Sequence, residues 1–352
     1  MTHPYSCSRH YQLHKSAIKF SNRFQFNPAL QGKFVFERSD SISTMGSCFA
    51  QEVSIWLLKK KHNFLRINSD LKSLADTKNR SPKAQFFSGD YGNVYTTRQA
   101  LQLLKAAIGE FNYCSDPWID SEGLVVDPIR PAVASGLSNL DDMLASRAAM
   151  LSDLRKILTR ANVFIFTLGL TECWIRNKDG AALPTAPGVV AGDFSESDYH
   201  FKNESYEEVI TNLRHILAIL KAYNGRIKVV LTVSPIPLAA TAVDRHIAVS
   251  SMASKAILRT SAEVMWQETD VDYFPSFEMF YTPGMCDAVF ADDFRHASRF
   301  GVERVMRAFQ STYLQFSDQL IKSELPETSK RTFSRDVNTI AGRVICDEDQ
   351  LS

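Results

Sequence analysis

Residues 42–50 read ISTMGSCFA, and this stretch decides how the fold begins. The run from Ile42 to Met45 predicts a short strand that ends at Gly46, and a helix is predicted from about Cys48 to Lys61. Apolar side chains recur on one face of this helix, at Phe49, Val53, Trp56 and Leu57. Ser47 is therefore expected on a tight turn between a strand and a helix.

The rest of the chain alternates between apolar strands and amphipathic helices. Short, continuous apolar runs predict central parallel strands that are covered on both faces. They lie at residues 163–166, 229–233 and 271–274, with a further short strand at 64–67. Periodic apolar positions predict helices at 97–108, 140–158, 210–220, 247–268 and 302–313. This alternation predicts an α/β fold, a three-layer α/β/α sandwich with a central parallel sheet.

The predicted domain organisation is one catalytic domain with flanking segments. The domain covers residues 37–318, between an N-terminal arm at 1–36 and a polar C-terminal tail at 319–352. Prolines, glycines and polar residues replace the periodic pattern near 109–137 and 176–203, which indicates two insertions. Three histidines of the arm, His3, His10 and His14, have no regular helical spacing, so a metal site is not predicted there.

Composition excludes several classes of protein. The 352 residues carry a net charge of +1, which favours neither nucleic acid nor an anionic membrane as a partner. The six cysteines form no C-x-x-C pair, which argues against a zinc knuckle and a disulfide scaffold. No leader-like apolar segment opens the chain, and no apolar run reaches the roughly 20 residues of a membrane helix. We expect a cytoplasmic enzyme with no metal or organic cofactor, whose oligomeric state the sequence leaves open.

Candidate catalytic residues lie where parallel strands end. Ligands of such sheets bind beyond the carboxyl ends of the strands, where Ser47, residues 169–172 and Ser234 are expected. Near the other end of the chain, His296 follows Asp293 by three residues, a spacing that allows an aspartate to orient a histidine base. A serine, a histidine and an aspartate together indicate a nucleophilic hydrolase or acyltransferase.

Each of these residues has an alternative interpretation. Ser47 can instead serve as no more than the N-cap of the helix, since serine is a preferred cap. The Asp293–His296 pair can be a helix cap with a surface histidine, and Asp292 is a second candidate for the acidic role. Cys48 is an alternative nucleophile, although a free cysteine is more often a small buried apolar residue.

Six short segments carry a family resemblance. They are GSCFA at 46–50, GNVYT at 92–96, TLGLTE at 167–172, SPIPL at 234–238, YFPSFE at 273–278 and ADDFRH at 291–296. With these segments in this order over about residues 41–310, the chain resembles the GSCFA family, a branch of the SGNH (GDSL-type) hydrolases. The resemblance implies an SGNH hydrolase-like fold of flavodoxin-like topology.

The resemblance also implies roles for individual residues. Ser47 is similar to the family's nucleophile, His296 to its general base and Asp293 to the partner of that base. The oxyanion hole would be formed by the Ser47 backbone N–H, Gly92 and Thr171. Thr171 occupies the position at which the broader superfamily has asparagine. Further residues, namely Asn93, Glu172, Trp174 and Glu278, are candidates for substrate binding.

The function that this pattern and resemblance imply is ester hydrolysis through an acyl-enzyme on Ser47. An O-acyl group, most simply O-acetyl, on a carbohydrate is the expected substrate by family analogy. Two alternatives stay open. One is an O-acyltransferase of glycan or polysaccharide biosynthesis with the same triad. The other is a catalytically silent SGNH fold that binds a glycan or a protein.

Overall fold

A computed structural model describes residues 3–19, 21–22, 26–67, 86–286, 288–314 and 347. Its strands are β1 (Ile42–Gly46), β2 (Trp118–Ile119), β3 (Val125–Val126), β4 (Val163–Leu168), β5 (Glu172–Arg176), β6 (Ala182–Leu183), β7 (Tyr199–Asn203), β8 (Lys228–Val233) and β9 (Val271–Phe274). Its helices are α1 (Cys48–Lys59), α2 (Thr97–Ala107), α3 (Leu140–Arg160), α4 (Tyr206–Tyr223), α5 (Ile247–Met265), α6 (Ser276–Tyr281) and α7 (Arg299–Tyr313). Short 3-10 and π-type turns lie at His10–Gln12 and Lys15–Lys19.

The central sheet has four parallel strands in the order β1-β4-β8-β9. At its β1 edge Phe64 forms an isolated parallel bridge with Ile42, and the Leu65 N–H donates to the Ile42 carbonyl. The predicted strand at 64–67 is therefore reduced to a single bridge. Counted with this bridge, the spatial order is 2-1-3-4-5, the flavodoxin-like order that the family resemblance implied.

Helices cover both faces of the sheet, because successive side chains of a strand point to opposite sides. On one face, Phe164 and Phe166 of β4 pack in a large apolar cluster with residues of α2, α3, α4 and α5. On the other face, Val163 and Ile165 pack with residues of α1, α6 and α7. The predicted three-layer α/β/α sandwich is confirmed.

One predicted insertion has more regular structure than the sequence indicated. Residues 176–203 were predicted only as a polar insertion, with no strands assigned to them. They complete a three-stranded antiparallel sheet in the order β6-β5-β7, which begins at Glu172. Cys173, Ile175 and Ala182 form a small apolar cluster on it. The other insertion, near 109–137, contains the two-stranded ribbon β2-β3.

The two ends of the chain meet the domain differently. Near the end of the predicted N-terminal arm, Phe36 is fully buried, and its N–H donates to the Tyr313 carbonyl at the end of α7. The predicted tail at 319–352 lies outside the described residues except for Asp347, which is buried.

Candidate active site

Ser47 lies on the turn that joins β1 to α1. Gly46, before it, has φ +140, and a Cβ at this position would lie 2.2 Å from the Thr167 carbonyl oxygen of β4. Only glycine permits this conformation and this close approach. The Ser47 N–H donates to the same Thr167 carbonyl at 3.2 Å, so β4 holds the serine turn in place.

The Ser47 side chain is buried and does not cap the helix that it precedes. Ser47 occupies the N-cap position of α1, yet its side chain makes no capping hydrogen bond. The residue is 3% exposed, and its Oγ has no hydrogen-bond partner among the described residues. A buried hydroxyl without a partner costs free energy, and the N-terminus of a helix favours a nearby negative charge.

A small cleft is lined in part by Ser47, and we call it the serine cleft. Its empty space is about 250 Å³, part of it open to solvent. Besides Ser47 and Cys48, the described residues that line it include Tyr95, Gly169, Ser234 and Arg295. A Cβ on Gly169 would lie 2.9 Å from both the Ser47 Cβ and the Tyr95 carbonyl oxygen. The chain after β4 therefore needs glycine here to pass the serine.

Asp293 and His296 form a close pair in the loop before α7. His296 Nδ1 lies 2.5 Å from Asp293 Oδ2, while Asp293 Oδ1 accepts the backbone N–H groups of Arg295 and His296. The side-chain hydrogen bond from His296 lowers the pKa of the Asp293 carboxyl to about 2. Asp292 is exposed, and the contact with the imidazole is made by Asp293.

The imidazole presents its other nitrogen to Arg295. His296 Nε2 lies 3.4 Å from Arg295 Nη1. Because Ser47 Oγ has no partner within the described residues, the serine–histidine hydrogen bond of a complete triad is not formed in this structure. Arg295 lines the serine cleft and contacts the imidazole, so it links the two halves of the predicted triad.

The segment with Gly92 and Asn93 lies beside the serine turn. The Val94 N–H donates to the Gly46 carbonyl at 2.8 Å. Gly92 has φ +68, which explains a glycine at this position, but it does not line the serine cleft. Asn93 is buried, and its amide accepts from Gln51 Nε2 and donates to Asp347 Oδ2, both at 2.8 Å.

Thr171 is fully buried next to the end of β4. Its N–H donates to Ser254 Oγ at 3.0 Å and its carbonyl accepts the Glu204 N–H. Its Oγ1 is buried without a hydrogen-bond partner among the described residues. Thr171 is not among the residues that line the cleft, so its oxyanion role stays a prediction.

The structure does not bring the other predicted substrate residues into the serine cleft. Glu172 accepts from the Thr241 hydroxyl at 2.8 Å. Trp174 packs against Phe194 and Phe201 on the β6-β5-β7 sheet. Both carboxylate oxygens of Glu278 are engaged, one by Arg259 at 2.6 Å and the other by the Tyr273 hydroxyl at 2.8 Å.

Sequence reasoning missed three charged residues at or near this site. Arg295 lines the cleft, Lys255 of α5 donates to the Gly169 carbonyl at 2.7 Å, and the Asp347 N–H donates to the Tyr95 hydroxyl at 3.1 Å. Of the three, only Arg295 could have been placed near the site from the sequence, because it is next to the predicted base His296. Nothing local to Lys255 or Asp347 indicates where the fold carries them.

Among the described residues, no group of three or more His, Cys, Asp and Glu side chains is arranged to hold a metal ion. None of the described helices is both long and apolar enough to cross a membrane.

The fold and site thus define an α/β protein with a buried serine on a strand–helix turn and an aspartate–histidine pair near the same rim. The GSCFA family model matches residues 41–309, and the chain belongs to the GSCFA family. This match confirms the resemblance seen in the sequence. Comparison with curated proteins gave no significant match.

Solved structures similar to this chain include two that are described as esterases. A carbohydrate esterase family 3 structure from Talaromyces cellulolyticus has 14% identity and a TM-score of 0.28, over 65% of this chain and 93% of that one. A mutant acetyl esterase with acetate ion has 14% identity and a TM-score of 0.26, over 64% of this chain and 90% of that one. A putative platelet activating factor structure from Streptococcus pneumonia has 12% identity and a TM-score of 0.26. That last match covers 59% of the length of the other structure and 43% of the length of this chain.

Proposed function

We propose that this protein is a serine-dependent ester hydrolase with Ser47 as nucleophile. The observation that carries the proposal is the Ser47 hydroxyl, which is buried at the N-terminus of α1 and has no hydrogen-bond partner among the described residues, in a residue that lines a cleft. The His296–Asp293 pair, whose neighbour Arg295 lines the same cleft, supports it.

In the proposed reaction, His296 Nε2 accepts the Ser47 proton as Oγ bonds to the ester carbonyl carbon. The negative charge that develops on the carbonyl oxygen lies near the positive end of α1. The ester C–O bond then breaks, the proton passes from Nε2 to the leaving alkoxide, and an acyl-enzyme remains. Water attacks the acyl-enzyme by the same route in reverse and releases the acid.

Two contacts must change before this reaction can occur. The Ser47 N–H, a predicted oxyanion donor, is engaged by the Thr167 carbonyl. His296 Nε2 faces Arg295 Nη1 instead of Ser47 Oγ. Hydrogen bonds of an active site are often loose without substrate and tighten when it binds. We therefore assign the described arrangement to the resting enzyme.

The proposed substrate is an O-acyl ester, most simply O-acetyl, on a carbohydrate. This part of the proposal rests on the family resemblance. Transfer of the acyl group to a hydroxyl acceptor would use the same acyl-enzyme, and product analysis with added alcohol separates it from hydrolysis.

One observation favours a second candidate, a binding protein without catalysis. It is the missing Ser47–His296 hydrogen bond. Hydrolysis of 4-nitrophenyl acetate by the wild type, Ser47→Ala and Cys48→Ala separates the two candidates. An esterase loses turnover in Ser47→Ala and keeps it in Cys48→Ala, and an organophosphonate adds its mass to Ser47. A wild type no faster than Ser47→Ala would favour the binding protein.

A further inference from the structure

The loop that carries the predicted base is held together by its own hydrogen bonds. The Ala291 N–H donates to the His296 carbonyl at 2.8 Å, which closes the loop. Within it, the Phe294 N–H donates to the Ala291 carbonyl at 3.0 Å. Asp293 Oδ1 also accepts the His296 N–H at 2.9 Å. These contacts hold the backbone, and with it the direction in which each side chain leaves the loop.

Phe294 has a backbone conformation that phenylalanine rarely adopts. Its φ is +55, and in the described part of the chain only Lys61 and Ala288 share a positive φ among residues other than glycine. In this left-handed region the Cβ atom lies too close to the backbone, so a bulky residue is strained there and glycine is not. Strain of this kind is concentrated at functional sites. Folding alone would favour glycine at position 294.

The phenyl ring of Phe294 does not contribute to the core either. The residue is 82% exposed, the highest value among the large apolar residues that the structure describes. Single exposed apolar side chains are common on protein surfaces. This one also has a strained backbone, and it lies between Asp293, which holds the imidazole, and Arg295, which lines the serine cleft. Its exposure and its strain therefore occur together in the loop of the proposed base.

The position of this ring indicates which part of a substrate it can contact. Neighbouring Cα atoms are about 3.8 Å apart, so the chain at Phe294 lies directly beside the cleft wall at Arg295. An ester whose carbonyl carbon is at Ser47 extends its alcohol part out of the cleft, where an exposed ring can cover it. The face of an aromatic ring is negative, and it attracts the C–H groups on the face of a sugar ring.

We propose that Phe294 is a specificity residue whose ring stacks on the sugar ring that carries the scissile acyl group. The inference rests on the proposed ester hydrolase and assigns the residue that binds the alcohol part of its substrate. The sugar ring takes no part in bond breaking, so this contact stabilises the bound substrate and the transition state alike. Its loss should raise KM and leave kcat unchanged.

Two esters with the same acyl group test the proposal. Methyl β-xylopyranoside triacetate presents its acetyl groups on a sugar ring, and glycerol triacetate presents them on an open chain. Released acetate is measured for both. In Phe294→Ala, KM for the ring ester should rise about tenfold, as for loss of a strong aromatic contact, and KM for glycerol triacetate should stay unchanged. Phe294→Tyr keeps an aromatic ring and should keep both wild-type KM values.

Phe294→Gly separates the role of the ring from that of the strained backbone. Glycine accepts a positive φ, so this variant should have a higher Tm than Phe294→Ala and the same raised KM for the ring ester. Lys61→Gly is the matched control, because Lys61 is exposed after α1 and has φ +57. It relieves the same strain outside the loop and should leave both KM values unchanged.

The inference is overturned if Phe294→Ala keeps the wild-type KM for the ring ester. It is also overturned if Phe294→Ala lowers kcat equally on both esters, because the ring would then only support the loop. Activity of the wild type on glycerol triacetate but not on the ring ester has the same meaning. All three results leave the proposed hydrolase intact when Ser47→Ala is inactive on glycerol triacetate. Equal rates for wild type and Ser47→Ala on both esters instead reject the hydrolase, and the inference with it.

Discussion

His296 Nδ1 lies 2.5 Å from Asp293 Oδ2, and Oδ1 of the same carboxylate accepts the backbone N–H of His296 at 2.9 Å. Asp293 therefore fixes both the ring and the backbone of the histidine. With Nδ1 as the donor to Asp293, Nε2 is the nitrogen that can accept a proton. This contact selects the tautomer that a serine hydrolase needs.

The predicted triad should act as a unit. Ser47→Ala or His296→Ala alone should lower kcat by several orders of magnitude, and the double variant should be little worse than either. Asp293→Asn should cost less than Ser47→Ala. Steady-state kinetics on 4-nitrophenyl acetate measure these losses. Near-normal activity in Ser47→Ala, together with loss in Cys48→Ala, would move the nucleophile to Cys48.

Protonation of Asp293 should not limit activity in any practical assay. The hydrogen bond from His296 lowers the pKa of the Asp293 carboxyl to about 2, so this carboxylate stays ionised. A loss of activity on acidification should therefore have a midpoint well above the pKa of Asp293. Rates on 4-nitrophenyl acetate across the pH range in which the protein stays folded measure it, and a loss confined to pH values near 2 would assign it to Asp293 instead.

The Thr171 hydroxyl should matter for rate and not for stability. Its Oγ1 is buried without a partner among the described residues, so Thr171→Val removes a donor at nearly constant volume and should not lower Tm. If this hydroxyl stabilises the oxyanion, kcat should fall about a hundredfold.

Thr185→Val is the control for the Thr171 variant. Thr185 is also buried with a partnerless Oγ1 among the described residues, but it follows β6 of the small antiparallel sheet and not β4, which holds the serine turn in place. It should keep the wild-type rate. Unchanged kcat in both variants would place the oxyanion hole elsewhere, with Asn93 or backbone N–H groups as the next candidates.

The central sheet was predictable from sequence, because buried parallel strands are continuous apolar runs such as the one in β4. The antiparallel β6-β5-β7 sheet was not predicted. Tyr199–Asn203 carries polar residues on a partly exposed strand, and Ala182–Leu183 is too short to show a pattern. Such strands are defined by their partners more than by their own residues.

The site was predictable only where motifs are local. The turn at Ser47 and the Asp293–His296 pair each lie within a few residues of chain, so local spacing together with the family resemblance indicates their contacts. The approach of Arg295 to the serine cleft, and of Asp347 to Asn93, depends on side-chain direction and long-range packing. No periodicity in the sequence records either contact.

Gly46 should be one of the least replaceable residues of the fold. In Gly46→Ala the new Cβ would lie 2.2 Å from the Thr167 carbonyl oxygen, so backbone must move at the serine turn. Gly180→Ala is the control, because Gly180 also has positive φ, +71, but its Cβ would meet no atom within 4 Å. Urea unfolding should show a loss of about 1–2 kcal/mol for Gly180→Ala and a clearly larger one for Gly46→Ala. Equal losses would show that only backbone strain is involved.

Glu204 should make the stability of this protein depend on pH near neutrality. Its side chain is fully buried and accepts from Asn212 Nδ2 at 2.7 Å, with Arg98 Nε at 3.8 Å. Burial raises the pKa of Glu204 from 4.5 to about 7. Between these values the folded protein keeps a proton that the unfolded chain releases.

The sign of the effect follows from the proton count. Because the folded state binds more protons, the free energy of unfolding should fall as pH rises from about 4.5 to 7. The effect is at most roughly 3 kcal/mol, at about 1.36 kcal/mol per pKa unit. Glu204→Gln cannot ionise, so its stability relative to the wild type should increase over this window. Urea unfolding of both proteins at pH 5, 6, 7 and 8 measures the difference, at pH values on either side of the shifted pKa. A constant difference across the series would mean that Glu204 is already ionised in the folded protein at pH 5.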